Sequence, residues 1–211
     1  MKTIRQFILV MLILLGLPLV VLATSDFQEG KDYRLLERPV PTATGDKIEV
    51  VEAFYYTCPH CFSLDATVAE WLKSKPENVE FVRIPAIWRP ESESQARAYY
   101  AAVQMGVLDK VHKPLFEAIH IEKKQLTTPE QLADFFATQG VDKNDFLDAY
   151  KSFGVETHVQ RGKQLIQRYA IMGVPAFIVN GKYFVDLSLT GSAPRLFEVI
   201  NYLVAKESGK S

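Results

Sequence analysis

The feature that most constrains the fold is a pair of cysteines, Cys58 and Cys61, which are the only two among 211 residues. The stretch before them, Lys47 to Tyr56, is apolar on both alternating faces, which favours a central β-strand that is covered on both sides. The stretch after them, Pro59 to about Lys75, carries apolar side chains at helical spacing. The pair therefore stands where a buried strand turns into a helix.

The rest of the chain completes an α/β pattern around this junction. A second strand over Val79 to Ile87 gives a β–α–β unit, and such a crossover is normally parallel and right-handed. Helix signals then recur without a convincing strand at about 88–170. Among them, "SESQARAYYAAVQMG" starts with serine caps, and Thr128 caps a later helix with Gln131 at the capping-box position. A hairpin follows around Asn180-Gly181, the strongest short hairpin signal, and a final helix closes the chain. This order predicts a thioredoxin fold with an inserted all-helical subdomain.

The first residues carry the pattern of a secretory signal. Lys2 and Arg5 precede an apolar run from Phe7 to Ala23, and Pro18 interrupts that run near its end. We interpret residues 1–23 as a cleaved signal peptide and residues 24–211 as the thioredoxin-like domain. An uncleaved membrane anchor is the alternative, although the run is somewhat short for a span of about 20 residues. Export would place the chain in an oxidising compartment.

Composition and charge exclude some functions. The net charge is −1 and no basic block stands out, so nothing indicates nucleic-acid binding. Apolar residues make up 48% of the chain, which is enough for a core without disulfide staples. The cysteine pair is therefore better explained by chemistry than by structural cross-linking.

The Cys-Pro-His-Cys motif is suited to redox chemistry. At a helix N-terminus, unpaired N–H groups and the helix dipole stabilise a thiolate, which lowers the pKa of Cys58. Cys61 follows one turn later on nearly the same face, so the two sulfurs can form a bond. His60 can donate a hydrogen bond or carry positive charge beside the Cys58 sulfur. A stabilised thiolate makes the disulfide a stronger oxidant.

Three other interpretations of the motif are weaker. A zinc site would need about four ligands, whereas His112, His120 and His158 show no ligand spacing relative to the cysteines. A c-type haem site would need histidine directly after the second cysteine, and position 62 is Phe. An inert disulfide would close only a very small loop. No metal and no cofactor are expected.

Two further sites remain open from the residues alone. Glu52 lies in the apolar strand, and it is either a buried proton acceptor for Cys61 or a glutamate at a solvated position. Val174-Pro175 precedes the hairpin, and its bond is either an ordinary trans bond or a cis bond that leaves the Val174 backbone free to pair with a peptide.

The combination of Cys-Pro-His-Cys after "VVEAFYY", a helical insertion and "MGVPAFIVNGKYFV" resembles the DsbA family of periplasmic thiol:disulfide interchange proteins. The resemblance implies that Cys58 is the nucleophile and Cys61 its buried partner, with His60 stabilising the thiolate. It also implies that Glu52 is the buried glutamate, Pro175 the cis-proline and Val174 its neighbour.

The resulting hypothesis is a monomeric periplasmic oxidase that donates its Cys58–Cys61 disulfide to cysteine pairs of newly exported proteins. The resemblance further implies reoxidation by a DsbB-like membrane protein that passes electrons to quinone. A reductase or isomerase on the same fold is the nearest alternative, and it would use the same residues to run thiol–disulfide exchange in a different direction. A binding module that holds unfolded chains, with incidental cysteines, is the rival from a different class.

Overall fold

The computed structural model describes residues 27–209. The signal peptide expected over residues 1–23 lies outside this range. Within the described range, none of the helices combines the length and the apolar character that a membrane crossing requires.

The centre of the molecule is a five-stranded mixed sheet. Its strands are β1 (Arg34–Leu35), β2 (Ile48–Phe54), β3 (Val79–Pro85), β4 (Ala176–Val179) and β5 (Tyr183–Asp186). They lie side by side in the order β1-β5-β4-β2-β3. The central strand β2 pairs in parallel with β3 on one side and antiparallel with β4 on the other, as the β–α–β unit and the hairpin predict. All seven residues of β2 are buried, in agreement with a strand covered on both faces.

Helices cover both faces of the sheet, and most of them lie between β3 and β4. On one face, Trp71 of the helix after β2 stacks on Phe197 of the last helix. On the other face, Ile166 packs against the sheet residues Val51 and Ile178. The helices are α1 (Pro59–Ser74), α2 (Pro90–Gln104), α3 (Leu108–His120), α4 (Pro129–Thr138), α5 (Lys143–Lys151), α6 (Phe153–Arg168), α7 (Leu187–Thr190) and α8 (Ala193–Glu207).

Helix boundaries follow local capping chemistry. Thr128 caps α4 and forms the expected capping box with Gln131. The start of α2 differs from the expectation of a serine cap, because the helix already begins at Pro90 and Ser92 lies inside its first turn. There the Ser92 hydroxyl accepts from the backbone of Arg89 and so closes the first turn from within.

The hairpin turn between β4 and β5 depends on its glycine. Asn180 and Gly181 both have positive φ, which the Asn-Gly pair accommodates. A Cβ atom at Gly181 would lie 1.9 Å from the carbonyl oxygen of Val40, so no other residue fits. A hydrogen bond between the same two residues joins the segment before β2 to the hairpin, since the Val40 amide donates to the Gly181 carbonyl over 2.8 Å.

The fold confirms the predicted thioredoxin fold with a helical insert. The five helices α2 to α6 carry their own core, which includes Leu115, Leu132 and Phe136. That core continues without interruption to Cys58 and Cys61. The cysteine pair therefore lies at the contact between the sheet and the inserted helices.

Candidate active site

Cys58 is the N-cap of α1, and Pro59 takes the first helical position. The Cys58 sulfur accepts a hydrogen bond from the backbone N–H of Cys61 over 3.3 Å, which is the bond that a serine or aspartate cap would make. The usual capping oxygen is replaced here by a sulfur, and the N–H groups at the helix start stabilise that sulfur when it is an anion. The sequence therefore places a thiol where the start of a helix favours an anion.

The two thiols have opposite acid–base properties. The hydrogen bond from the Cys61 thiol, followed by the backbone N–H groups of Cys61 and His60, lowers the pKa of Cys58 to about 6 against the opposing effect of burial. Burial raises the pKa of Cys61 far above that of a free thiol, and the neighbouring Cys58 adds to this rise. In the reduced pair, Cys58 is thus the thiolate and Cys61 keeps the proton.

His60 lies between the cysteines with its side chain exposed to solvent. Its backbone N–H and its charge both lower the pKa of Cys58, but they rank after the contributions of Cys61. The helix start and the partner thiol are therefore the first causes of the lowered pKa, and His60 adds to them.

Val174 and Pro175 lie next to the nucleophile. Their peptide bond is cis, and the Cys58 sulfur lies 3.4 Å from the Val174 carbonyl oxygen, to which it donates only while it is protonated. Pro175 is buried while Val174 is partly exposed, and Met172 just before them is 92% exposed. Val174 is thus a partly exposed residue whose carbonyl oxygen lies next to the sulfur.

Glu52 is buried, with 2% of its surface exposed, so the interpretation as a solvated strand residue is wrong. It does not stand alone, because its Oε2 accepts from Nε of Arg83 on β3 over 2.7 Å. The parallel register of β2 and β3 places these two residues side by side. Burial raises the pKa of Glu52 although Arg83 opposes the rise, and the charge of Glu52 raises the pKa of Cys61.

The ion pair extends into a buried polar chain that the sequence analysis missed. Arg83 also donates to Asp65 of α1 over 3.0 Å, and Nε2 of His112 on α3 lies 3.2 Å from the same carboxylate. The contact at His112 is close but not aligned as a hydrogen bond. Nδ1 of His112 lies 2.8 Å from the hydroxyl of Tyr56. The one available signal was Arg83, a cation between the apolar residues Val82 and Ile84 of β3.

In the described part of the chain, no three histidine, cysteine, aspartate or glutamate side chains lie close enough together to hold a metal ion. The two thiols are both free and both buried. What the site provides is one stabilised thiolate, one protonated thiol within bonding reach and a buried carboxylate.

A helix-capping cysteine paired with a protonated partner on a thioredoxin sheet defines the class of thiol:disulfide oxidoreductases. The model of the DSBA-like thioredoxin domain matches residues 75–195. The thiol:disulfide interchange protein DsbA of Pseudomonas aeruginosa is 41% identical over 183 residues, which are 87% of this chain and 87% of that protein. The chain belongs to the DsbA family, and it is an enzyme of thiol:disulfide interchange.

Solved structures agree with this assignment. The crystal structure of Pseudomonas aeruginosa DsbA matches with a TM-score of 0.84 and 40% identity, covering 88% of this chain and 97% of that one. Proteus mirabilis DsbA in complex with the non-covalently bound peptide PWATCDS matches with a TM-score of 0.75 and 28% identity, covering 85% of this chain and 99% of that one. Membership of the family implies protein substrates.

Proposed function

We propose that the chain is a periplasmic dithiol oxidase that donates a Cys58–Cys61 disulfide to cysteine pairs of newly exported proteins. The observation that carries this direction is the pKa of Cys58, which lies at about 6. A thiolate that is stable at neutral pH favours the reduced form of the pair, so its disulfide is readily given away.

The reaction takes place in two exchanges. A substrate thiolate attacks the Cys58 sulfur, the Cys58–Cys61 bond breaks, and the Cys61 sulfur leaves with the electron pair and takes up a proton. The second substrate thiolate then attacks the substrate sulfur of the mixed disulfide and expels Cys58 as a thiolate. The substrate loses two electrons and gains a disulfide, while the enzyme ends as the dithiol.

We propose that Glu52 donates the proton that Cys61 gains on leaving and accepts the proton that Cys61 later loses. The raised pKa of Cys61 means that it leaves as a strong base and needs a nearby acid. Burial keeps the pKa of Glu52 above its usual value, so the carboxyl group can hold that proton when Cys61 is bonded to Cys58. When the pair is reoxidised, Glu52 accepts the proton again.

Val174 and Pro175 are proposed to bind the substrate backbone beside the nucleophile. Val174 is partly exposed and its carbonyl oxygen lies 3.4 Å from the Cys58 sulfur, so its backbone is placed to pair with an extended peptide. The complex of a cysteine-to-serine variant of Proteus mirabilis DsbA with a non-covalently bound, cysteine-containing peptide supports peptide binding by a member of this family.

Export through a signal peptide over residues 1–23, a monomeric state and reoxidation by a DsbB-like, quinone-linked membrane partner complete the proposal. They rest on the N-terminal sequence pattern and on membership of the DsbA family. The helical insertion at about 88–170 belongs to the same domain in this proposal, because its core reaches the cysteine pair.

The decisive experiment mixes the oxidised protein with a reduced dithiol peptide and then equilibrates the protein with glutathione buffers. We expect rapid oxidation of the peptide and an enzyme disulfide that glutathione reduces readily. Cys58→Ser should abolish the reaction. A disulfide that persists in glutathione buffers typical of reducing compartments would instead indicate a reductase, and full activity of Cys58→Ser in a disulfide-dependent cell assay would indicate a binding module.

A further inference from the structure

One face of α3 contacts both ends of the Cys-Pro-His-Cys motif. His112, Phe116 and His120 follow one another at intervals of four residues, so they lie on one side of the helix. The ring of Phe116 packs on Tyr56 with 4.8 Å between the centroids. Tyr56 lies two residues before Cys58 and is 1% exposed.

His120 makes two contacts that bracket the motif. Its Nε2 lies 2.7 Å from the carbonyl oxygen of Tyr56, and a carbonyl only accepts, so Nε2 carries a proton and donates it. Its ring stacks on Phe62, the residue directly after Cys61, at 4.7 Å with an angle of 4° between the planes. One side chain of the insertion therefore contacts the backbone of Tyr56, two residues before Cys58, and the ring of Phe62, directly after Cys61.

These contacts bear on the Cys58 sulfur through the backbone. The sulfur reaches the Cys61 amide only while Cys58 keeps its extended capping conformation, with φ −79° and ψ 117°. The helix itself starts with the bond from the Phe62 amide to the Cys58 carbonyl over 3.0 Å. Fixing Tyr56 and Phe62 leaves little freedom for the cap between them.

We propose that His120 is a positioning residue for the redox pair, which holds both flanks of the motif so that the helix start stays aligned with the Cys58 sulfur. His112 also contacts Tyr56, at its side chain and not at its backbone, since His112 Nδ1 lies 2.8 Å from the Tyr56 hydroxyl. The inference deepens the proposed oxidase function and rests on it. If His120 has this role, the inserted helices contribute to the stability of the Cys58 thiolate.

The test compares His120→Leu, which loses both the donor and the ring, with His120→Gln, which keeps an N–H donor. The measurements are the absorbance titration of the Cys58 thiolate and the equilibrium constant with glutathione. We expect His120→Leu to raise the Cys58 pKa and to make the disulfide less oxidising by roughly three- to tenfold in that constant. His120→Gln should recover most of the wild-type value.

The matched control is His158→Leu, which removes another stacked histidine of the insertion, on Tyr100 at 5.4 Å, without touching the motif. Its Cys58 pKa should equal that of the wild type. His120→Phe keeps the ring without the donor and replaces the leucine variant where that one does not fold. Wild-type values in His120→Leu, or in His120→Phe where the leucine variant does not fold, would overturn the inference. A wild-type protein that fails to oxidise the peptide would overturn the proposed function instead.

Discussion

Arg83 places its Nε 2.7 Å from Oε2 of Glu52, and both side chains are almost completely withdrawn from solvent. The pair turns a carboxylate that would be costly to bury into one that the protein can hold next to the redox site. It also means that the charge of Glu52 is controlled by a residue on the neighbouring strand.

Removing the cation should therefore destabilise the protein through Glu52. We expect Arg83→Met to lower the free energy of unfolding at pH 8 by about 3–5 kcal/mol, because a buried charge loses its partner. The loss of Arg83 raises the Glu52 pKa further, so the carboxyl group is protonated in the folded state at low pH. A raised folded-state pKa favours the fold at low pH, and the penalty should shrink when urea unfolding is repeated at pH 5.

The control for this variant is Lys47→Met. Its ion pair with Glu80 is about half exposed on both sides, so its loss should cost less than about 1 kcal/mol at either pH. Equal penalties for the two variants would contradict a special role of the buried pair.

Glu52→Gln should slow the chemistry without changing the nucleophile. The charge of Glu52 acts on Cys61, and it is not among the causes of the lowered Cys58 pKa. We expect stopped-flow oxidation of a dithiol peptide to slow by roughly a hundredfold or more, as for loss of a general acid. The thiolate titration of Cys58 in the same variant should stay near that of the wild type. A large shift in that titration would show that Glu52 acts on Cys58 and would contradict its assignment to Cys61.

His60→Ala should raise the Cys58 pKa without returning it to the value of a free thiol. The variant loses the charge of His60 but keeps its backbone N–H and both contributions of Cys61, which include the largest one. The same absorbance titration measures this shift, and the glutathione equilibrium should become less oxidising in step. An unchanged titration would leave His60 without an electrostatic role.

The reduction potential should depend on pH in two regimes. Below the Cys58 pKa of about 6 the reduced pair binds two protons, and above it only Cys61 binds one. For a two-electron couple in which Glu52 re-equilibrates with solvent and has the same protonation state before and after reduction, the potential should fall by about 59 mV per pH unit below the break and by about 30 mV above it. Protein film voltammetry from pH 4 to pH 8 locates the break, and a single slope of about 59 mV up to pH 8 would show that Cys58 stays protonated.

The sequence predicts the scaffold well because its signals are local. The apolar strand before Cys58, the capping box at Thr128 and the Asn180-Gly181 hairpin are each readable within a few residues. The short strand β1 escaped prediction because two residues carry no periodicity. The start of α2 was misplaced because a serine inside the first turn looks like a serine cap.

The site could be predicted only as far as the motif reaches. Cys58, Pro59 and Cys61 are adjacent in sequence, so their geometry follows from the helix start. Glu52 could be resolved only once β3 placed Arg83 beside it, since that contact spans 31 positions. His120 lies 64 positions from Tyr56 and has no spacing rule that would connect the two.

The continuity between the insertion core and the two sulfurs limits how far this protein can be reduced in size. Cutting out α2 to α6 would bare Tyr56, Phe62 and the Cys61 thiol to water. A stripped-down version would keep the motif but would lose the dry surroundings that hold the Cys61 proton in place. In this protein the inserted helices are thus part of what keeps the Cys61 thiol away from water.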